Sequence, residues 1–168
     1  AATMRHPIVT ADLAAILAAP LPWSCFAGKT VLITGAYGFM PAYMVETLLY
    51  WNEQTPLPPV KVIGLVRSEA NAWARFAHYR GRPDFELLVQ DVSEPISYAG
   101  EVDYVVHAAS KASPKYYATQ ALDIIGANVF GTHNVLSLAQ QKQARQVLFF
   151  STSEVYGELG ENQAAISE

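Results

Sequence analysis

Residues Val31 to Tyr43 read VLITGAYGFMPAY, an uncharged β-branched run that breaks into two glycines three positions apart and then resumes as a helix-forming stretch. An uncharged run of this kind suits a strand buried on both faces. Gly35-x-x-Gly38, set between that strand and a helix, suits a turn that delivers first-turn amides to an anion. Gly35 is expected to make the tight turn that carries Tyr37, and Gly38 to let a pyrophosphate approach the backbone. The amides of Phe39 and Met40 would then donate to it, helped by the positive end of the helix dipole. A third glycine is replaced by Pro41. Proline has no N–H, but in the first helical turn that N–H would have no intrahelical acceptor. The cradle should therefore survive, with the helix slightly further from the strand.

Working outward, apolar strand-like runs recur at Val60 to Val66, Phe85 to Val89, Tyr104 to His107 and Val147 to Ser151. Helical patterns lie between them: Phe39 to Tyr50, stopped by TPLPP at Thr55 to Pro59; Glu69 to Tyr79; and Ala118 to Gln140. The last contains Gly126 and Gly131, which weaken a helix and so point to close packing against a neighbour. Strand and helix alternate. The expected fold class is α/β, a doubly wound parallel sheet of Rossmann type in order 3-2-1-4-5, truncated after about the fifth strand, with its crevice at the carboxyl ends of the strands. Residues 1–28 are expected to form a helical extension, with a short packing helix in ADLAAILAAPLP, and residues 29–168 the dinucleotide-binding domain. Ala1, Ala2 and Thr3 ahead of Met4 read as residues added before a natural start.

The chain of 168 residues is 51% hydrophobic and 15% charged, the balance of one globular domain built on buried strands. A net charge of −4 supplies no overall basic field, so neither nucleic acid nor an anionic membrane is an expected partner. The alanine-rich amino-terminal run carries Asp12 and is too short to span a bilayer. The single cysteine, Cys25, is expected to be a small buried hydrophobe and fits a reducing, cytoplasmic setting. His6, His78, His107 and His133 lack metal-ligand spacing, so no metal site is expected; His107 reads as a packing or hydrogen-bonding residue. Arg75, Arg80 and Arg82 read as a solvated face.

Thr34-Gly35-Ala36-Tyr37-Gly38-Phe39 resembles the opening motif of the extended short-chain dehydrogenases/reductases, and four further motifs follow in that family's order. They are Gln90-Asp91-Val92, His107-Ala108-Ala109, Asn128-Val129-Phe130-Gly131-Thr132, and Ser151-Thr152-Ser153-Glu154-Val155-Tyr156-Gly157. With Ala112-Ser113-Pro114, the set looks most similar to UDP-glucuronate decarboxylases and nucleotide-sugar 4,6-dehydratases. The resemblance implies NAD or NADP as cofactor and a nucleotide sugar as substrate. It implies adenine contacts at Asp91 and Val92, and cofactor contacts at Ala108, Ala109, Ser110 and Asn128. Thr152 would hydrogen-bond the sugar's 4-oxygen, and Ser153 and Glu154 occupy the acid/base positions. Relatives that use NAD usually end the second strand with an acidic residue; here Val66 and Arg67 stand instead. Arg67 leans the choice towards NADP, since guanidinium matches a 2′-phosphate, although it could equally stack on adenine or face solvent.

The family's Tyr-x-x-x-Lys is absent, for none of the nine tyrosines has lysine four residues on. The resemblance places that motif past Glu168, and the chain is accordingly expected to be a cofactor-binding fragment with little turnover. The fifth strand should then be a sheet edge and the long helix should keep an apolar flank, so self-association as a homodimer is expected. A non-catalytic redox sensor or scaffold is the rival reading, against which Thr152 and Glu154 argue.

Overall fold

The computed structural model describes residues 5–110 and 119–157. Five parallel strands form one sheet: β1 (Thr30–Thr34), β2 (Lys61–Val66), β3 (Phe85–Val89), β4 (Tyr104–His107) and β5 (Gln146–Phe149), ordered β3-β2-β1-β4-β5. This is the expected doubly wound order. Val31 of β1 sits opposite Val62 of β2 on one side and Tyr104 of β4 on the other, which aligns the strand ends that carry the turn at Gly35.

Alternation along β1 divides the core between the two faces. Val31 and Ile33 pack with Val45, Leu49 and Phe76 under the helices α2 (Phe39–Gln54) and α3 (Glu69–Phe76). Leu32 packs instead with Ile63, Leu65, Val105, Val135 and Leu138 beneath α5 (Gly131–Gln141). Each such fully buried aliphatic side chain contributes about 1.5–3 kcal/mol relative to exposure. α2 runs past the expected Tyr50 because Trp51 is buried and Asn52 clasps the next loop. The Asn52 side chain donates to the Val60 carbonyl at 2.8 Å and accepts the Val60 amide at 2.9 Å.

The amino-terminal helix α1 (Pro7–Leu17) begins earlier than the alanine run suggested, with Pro7 in the first turn and His6 Nδ1 accepting the Ile8 amide. It packs on α2, where the Tyr43 hydroxyl donates to Asp12 at 2.8 Å. Arg5 completes the clasp, donating to Glu53 at 3.0 Å and to the Tyr79 hydroxyl at 2.8 Å. A 3₁₀ turn at Trp23–Phe26 follows, packing Trp23 and Phe26 on the core and leaving Cys25 exposed, contrary to the buried hydrophobe expected.

Two other expectations change. The long helix is interrupted: α4 (Ala121–Ile125) passes into a π-helical turn at Gly126–Phe130 before α5, and the expected start at Ala118 lies outside the described residues. A Cβ on Gly131 would lie 3.0 Å from Val92 Cγ1, so the glycine is required by close packing as its position in the sequence implied. The arginines form no simple solvated face. Arg82 donates to Asp84 at 2.6 and 2.9 Å and also pairs with Glu53; Arg75 lies 3.4 Å from the buried Glu46; Arg80 stacks over Trp73. The buried Glu46 and the more exposed Glu53 on α2, with Asp84 just before β3, hold Arg75 and Arg82 against the fold, while Arg80 stays exposed.

Candidate functional site

The turn after β1 is built around Gly35, which adopts φ +65°, and a Cβ there would lie 2.9 Å from Ala109 Cα. Glycine alone meets both conditions. The Gly38 amide donates to the Gly35 carbonyl at 2.8 Å, closing the loop, and Gly38 caps α2 without any side chain. A Cβ on Gly38 would press on the Gly35 carbonyl oxygen at 3.1 Å. Among the described residues no carbonyl accepts from the Phe39 or Met40 amide, while Ala42 donates to Gly38. Pro41 is buried in the first turn, where the ring displaces no hydrogen bond.

Against this turn lies the loop after β4, and a buried hydroxyl joins the two. Thr34 Oγ1 accepts the amides of Ala108 and Ala109, each at 3.1 Å, so its single proton goes to His107 Nδ1 at 2.8 Å. That fixes the His107 tautomer: Nδ1 accepts, and the opposite side of the ring is held by the Ala127 backbone. Burial lowers the pKa of His107 from the usual 6.5, with the Ala127 contact opposing, so the ring is neutral at physiological pH. His107 is a structural hub, as its sequence context suggested.

A cavity of about 590 Å³ opens between these loops, within the range of about 300–1,000 Å³ common for small-molecule sites. The glycine turn contributes Gly35, Tyr37, Gly38, Phe39 and Met40; the end of β2 contributes Arg67; the end of β3, Asp91 and Val92; the end of β4, Ala108, Ala109 and Ser110. The expected cofactor residues thus share one crevice, save Asn128. Asn128 is exposed on the π turn and lies off the cavity wall, its carbonyl accepting the Thr132 hydroxyl at 2.6 Å. Sequence reasoning missed the contributions of Ser93, Leu122, Gly126, Ala127 and Phe150. Gly126 carried a signal, a glycine inside a helix; Phe150 carried none beyond its place after a strand.

At the far end Arg67 Nη1 lies 3.9 Å from Asp91 Oδ2. Burial tends to raise the Asp91 carboxyl, but the Ser93 hydroxyl and amide, with Arg67 beside them, outweigh it and hold the pKa below the ordinary carboxylate value. Thr152 is exposed just after β5, and the chain then turns through a 3₁₀ segment at Ser153–Tyr156. That turn is the departure from strand geometry required if consecutive residues are to face one ligand. Thr152 does not line the cavity, whose described wall ends at Phe150 on that side.

A second cavity of about 870 Å³ lies between α1, α2 and the β4–β5 edge, with mostly apolar walls that also include Thr47, Arg145 and Gln146. It lacks the glycine turn and the strand-end polar groups, so the smaller crevice is the candidate site. Among the described residues no cluster of histidine, cysteine, aspartate and glutamate could hold a metal ion, and no helix is long and apolar enough to cross a membrane.

The bare backbone at Gly38, the two unclaimed amides and the cation 3.9 Å from a carboxylate fit a diphosphate joined to an adenosine. Comparison with known proteins agrees. The sequence model of the NAD dependent epimerase/dehydratase family matches residues 31–168. UDP-glucuronic acid decarboxylase 5 of Arabidopsis thaliana is 34% identical over 134 residues, 80% of this chain and 37% of that protein. UDP-glucuronic acid decarboxylase 1 of Danio rerio is 35% identical over 130 residues, 77% of this chain and 29% of that protein. The chain therefore spans roughly a third of the length of such relatives. Among solved structures, a dTDP-glucose 4,6-dehydratase of Streptomyces venezuelae with NAD and TYD bound superposes with a TM-score of 0.65 at 26% identity, covering 80% of this chain and 42% of that one.

Proposed function

Because the chain belongs to the NAD dependent epimerase/dehydratase family, we propose that it is the cofactor-binding part of a nucleotide-sugar enzyme that works through a transient 4-keto sugar. Decarboxylation of a UDP-glucuronate-like substrate is the net reaction best supported by the curated relatives. The observation that carries the proposal is the crevice itself. A glycine that only glycine can replace brings two unclaimed amides to face one strand-end cavity.

In this reading the Phe39 and Met40 amides hold the diphosphate, with the dipole of α2 behind them. Asp91 and Val92 receive the adenine, and Ala108, Ala109 and Ser110 wall the nicotinamide side. When bound, the dinucleotide supplies a hydride acceptor and donor for the sugar's C4. Arg67 favours NADP by offering a guanidinium to a 2′-phosphate. Thr152 hydrogen-bonds the sugar's 4-oxygen, and Glu154 with Ser153 moves the proton at C5. A cytoplasmic setting accords with the single cysteine. A homodimer accords with the apolar flank of the interrupted helix, where Ile125, Val129, Phe130 and Leu136 are exposed.

Gly38→Ala tests the cradle. Its φ of −62° suits alanine, so the fold should hold, while the methyl group's 3.1 Å approach to the Gly35 carbonyl oxygen should shift the turn that presents the two amides to the diphosphate. Isothermal titration with NADH should show affinity reduced about tenfold or more, with an unliganded melting temperature close to that of the parent chain. Equal affinity in the variant would remove the diphosphate from this turn.

A further inference from the structure

We propose that His107, from behind the crevice wall, positions both banks of the crevice for the dinucleotide through a single ring whose proton sits on Nε2, an inference that rests on the dinucleotide site proposed above. The ring is 3% exposed and forms no part of the cavity wall. Its links reach that wall in two directions. Nδ1 accepts the Thr34 hydroxyl at 2.8 Å, and Thr34 Oγ1 in turn accepts the amides of Ala108 and Ala109, each at 3.1 Å. The other ring nitrogen donates to the Ala127 backbone. Ala108, Ala109 and Ala127 all line the cavity, the first two beside the glycine turn and the third on the π turn. The Thr34 link also braces the glycine turn, because the Ala109 backbone is what a Cβ on Gly35 would meet at 2.9 Å.

This arrangement admits one form of the ring. A hydroxyl has one proton and two acceptor sites, and Thr34 uses all of them, so it cannot turn to accept from Nδ1 without releasing an alanine amide. A second proton on the ring would enter at Nδ1 and meet the Thr34 proton. The groups packed on the ring are Thr34 of β1, the Phe149 side chain of β5 with ring centroids 5.7 Å apart, Ala127 of the π turn, and Gly131 of α5, where a Cβ would lie 3.6 Å from His107 Cε1. None is ionisable. On the loop after β3, Asp91 Oδ1 accepts the Ser93 amide and hydroxyl at 2.9 and 2.7 Å. Protonation of His107 thus loosens the brace behind the glycine turn, and the dinucleotide binds the neutral form.

Two measurements on the parent chain and two variants test this. Nitrogen NMR of the His107 ring at neutral pH should show Nδ1 bare and Nε2 protonated. Because only the neutral fraction is competent, the apparent Kd is the intrinsic value divided by that fraction. Calorimetric titration with NAD+, which unlike NADH is stable in acid, should therefore find an affinity constant near neutral pH that falls about threefold or more towards about pH 5. His107→Asn keeps an acceptor where Nδ1 stood but does not reach Ala127, and His107→Gln reaches Ala127 but leaves Thr34 without its acceptor; neither side chain titrates. At neutral pH both should bind NAD+ about threefold or more weakly than the parent, and neither should show the fall in acid. Melting curves without ligand verify that each protein is folded, and the two parent measurements decide the matter if a variant is not. A ring protonated at Nδ1 at neutral pH, a parent affinity that stays flat into acid, or a fall in acid that persists in both variants overturns the inference while leaving the dinucleotide site intact. Failure of the parent chain to bind NAD+ at any pH overturns the site and the inference together.

Discussion

His107 illustrates how a single buried ring can report on the whole fold. Its Nδ1 accepts from Thr34 and its environment is apolar, so the folded state disfavours the second proton. The sign follows from proton counting. Below the unfolded value of 6.5 the unfolded chain binds the proton that the folded chain refuses. This contribution is thus fully present above that value and is lost as pH falls through it towards the lowered folded value. His78, also depressed by burial, acts in the same direction, whereas Glu46, raised by burial, acts oppositely just above its ordinary 4.5. Urea midpoints measured from pH 5 to 7.5 should therefore show, for the parent chain, a component rising with pH that is missing from His107→Asn. Parallel curves for the two proteins would mean that the ring is not held neutral.

At the scale of elements, the interruption of the helix between β4 and β5 is governed by contact with the loop after β3. Alanine at position 131 gains about 1 kcal/mol of helix propensity over glycine. Its methyl group, however, would lie 3.0 Å from Val92 Cγ1, and Val92 is only 3% exposed and cannot retreat. Gly131→Ala should consequently lower stability by about 1–2 kcal/mol net, measured by urea denaturation; a gain would show that Val92 yields. The strand pattern, by contrast, was readable directly. β1 and β4 fall where their apolar runs place them, because parallel strands buried on both faces leave an unbroken signal, and β3 does so despite its edge position and Glu86. The glycine turn was legible for the same reason, its spacing being tied to the strand before it. Ser93, Leu122 and Phe150 were not, since they reach the crevice only through crossovers whose geometry no local pattern encodes. Cys25 was misread because Trp23 and Phe26 take the packed side of its 3₁₀ turn, and Arg75 and Arg82 because carboxylate partners distant in sequence or in the next loop, not hydropathy, fix their place.

For the molecule as a whole, sheet order places β5 at an edge, where Leu148 and Phe149 are each about half exposed, at 51% and 50%. Val129, Phe130 and Leu136 on the neighbouring helical flank are exposed to 58%, 59% and 52%. Surfaces of this kind drive association. Light scattering coupled to size exclusion should find the chain larger than its monomer mass of 18.3 kDa. Val129→Glu combined with Leu136→Glu should shift it towards that mass without loss of dinucleotide binding. A parent chain monomeric at high micromolar concentration would refute the expectation.

The Thr34 hydroxyl, tied to two amides and a ring, also bears on tempo. A bank of the crevice soldered at three points has no give, and because the Ala127 backbone holds the far side of the same His107 ring, the π turn on the opposite bank is tied into that hub as well. An occupant is therefore expected to arrive and leave without rearrangement of those walls.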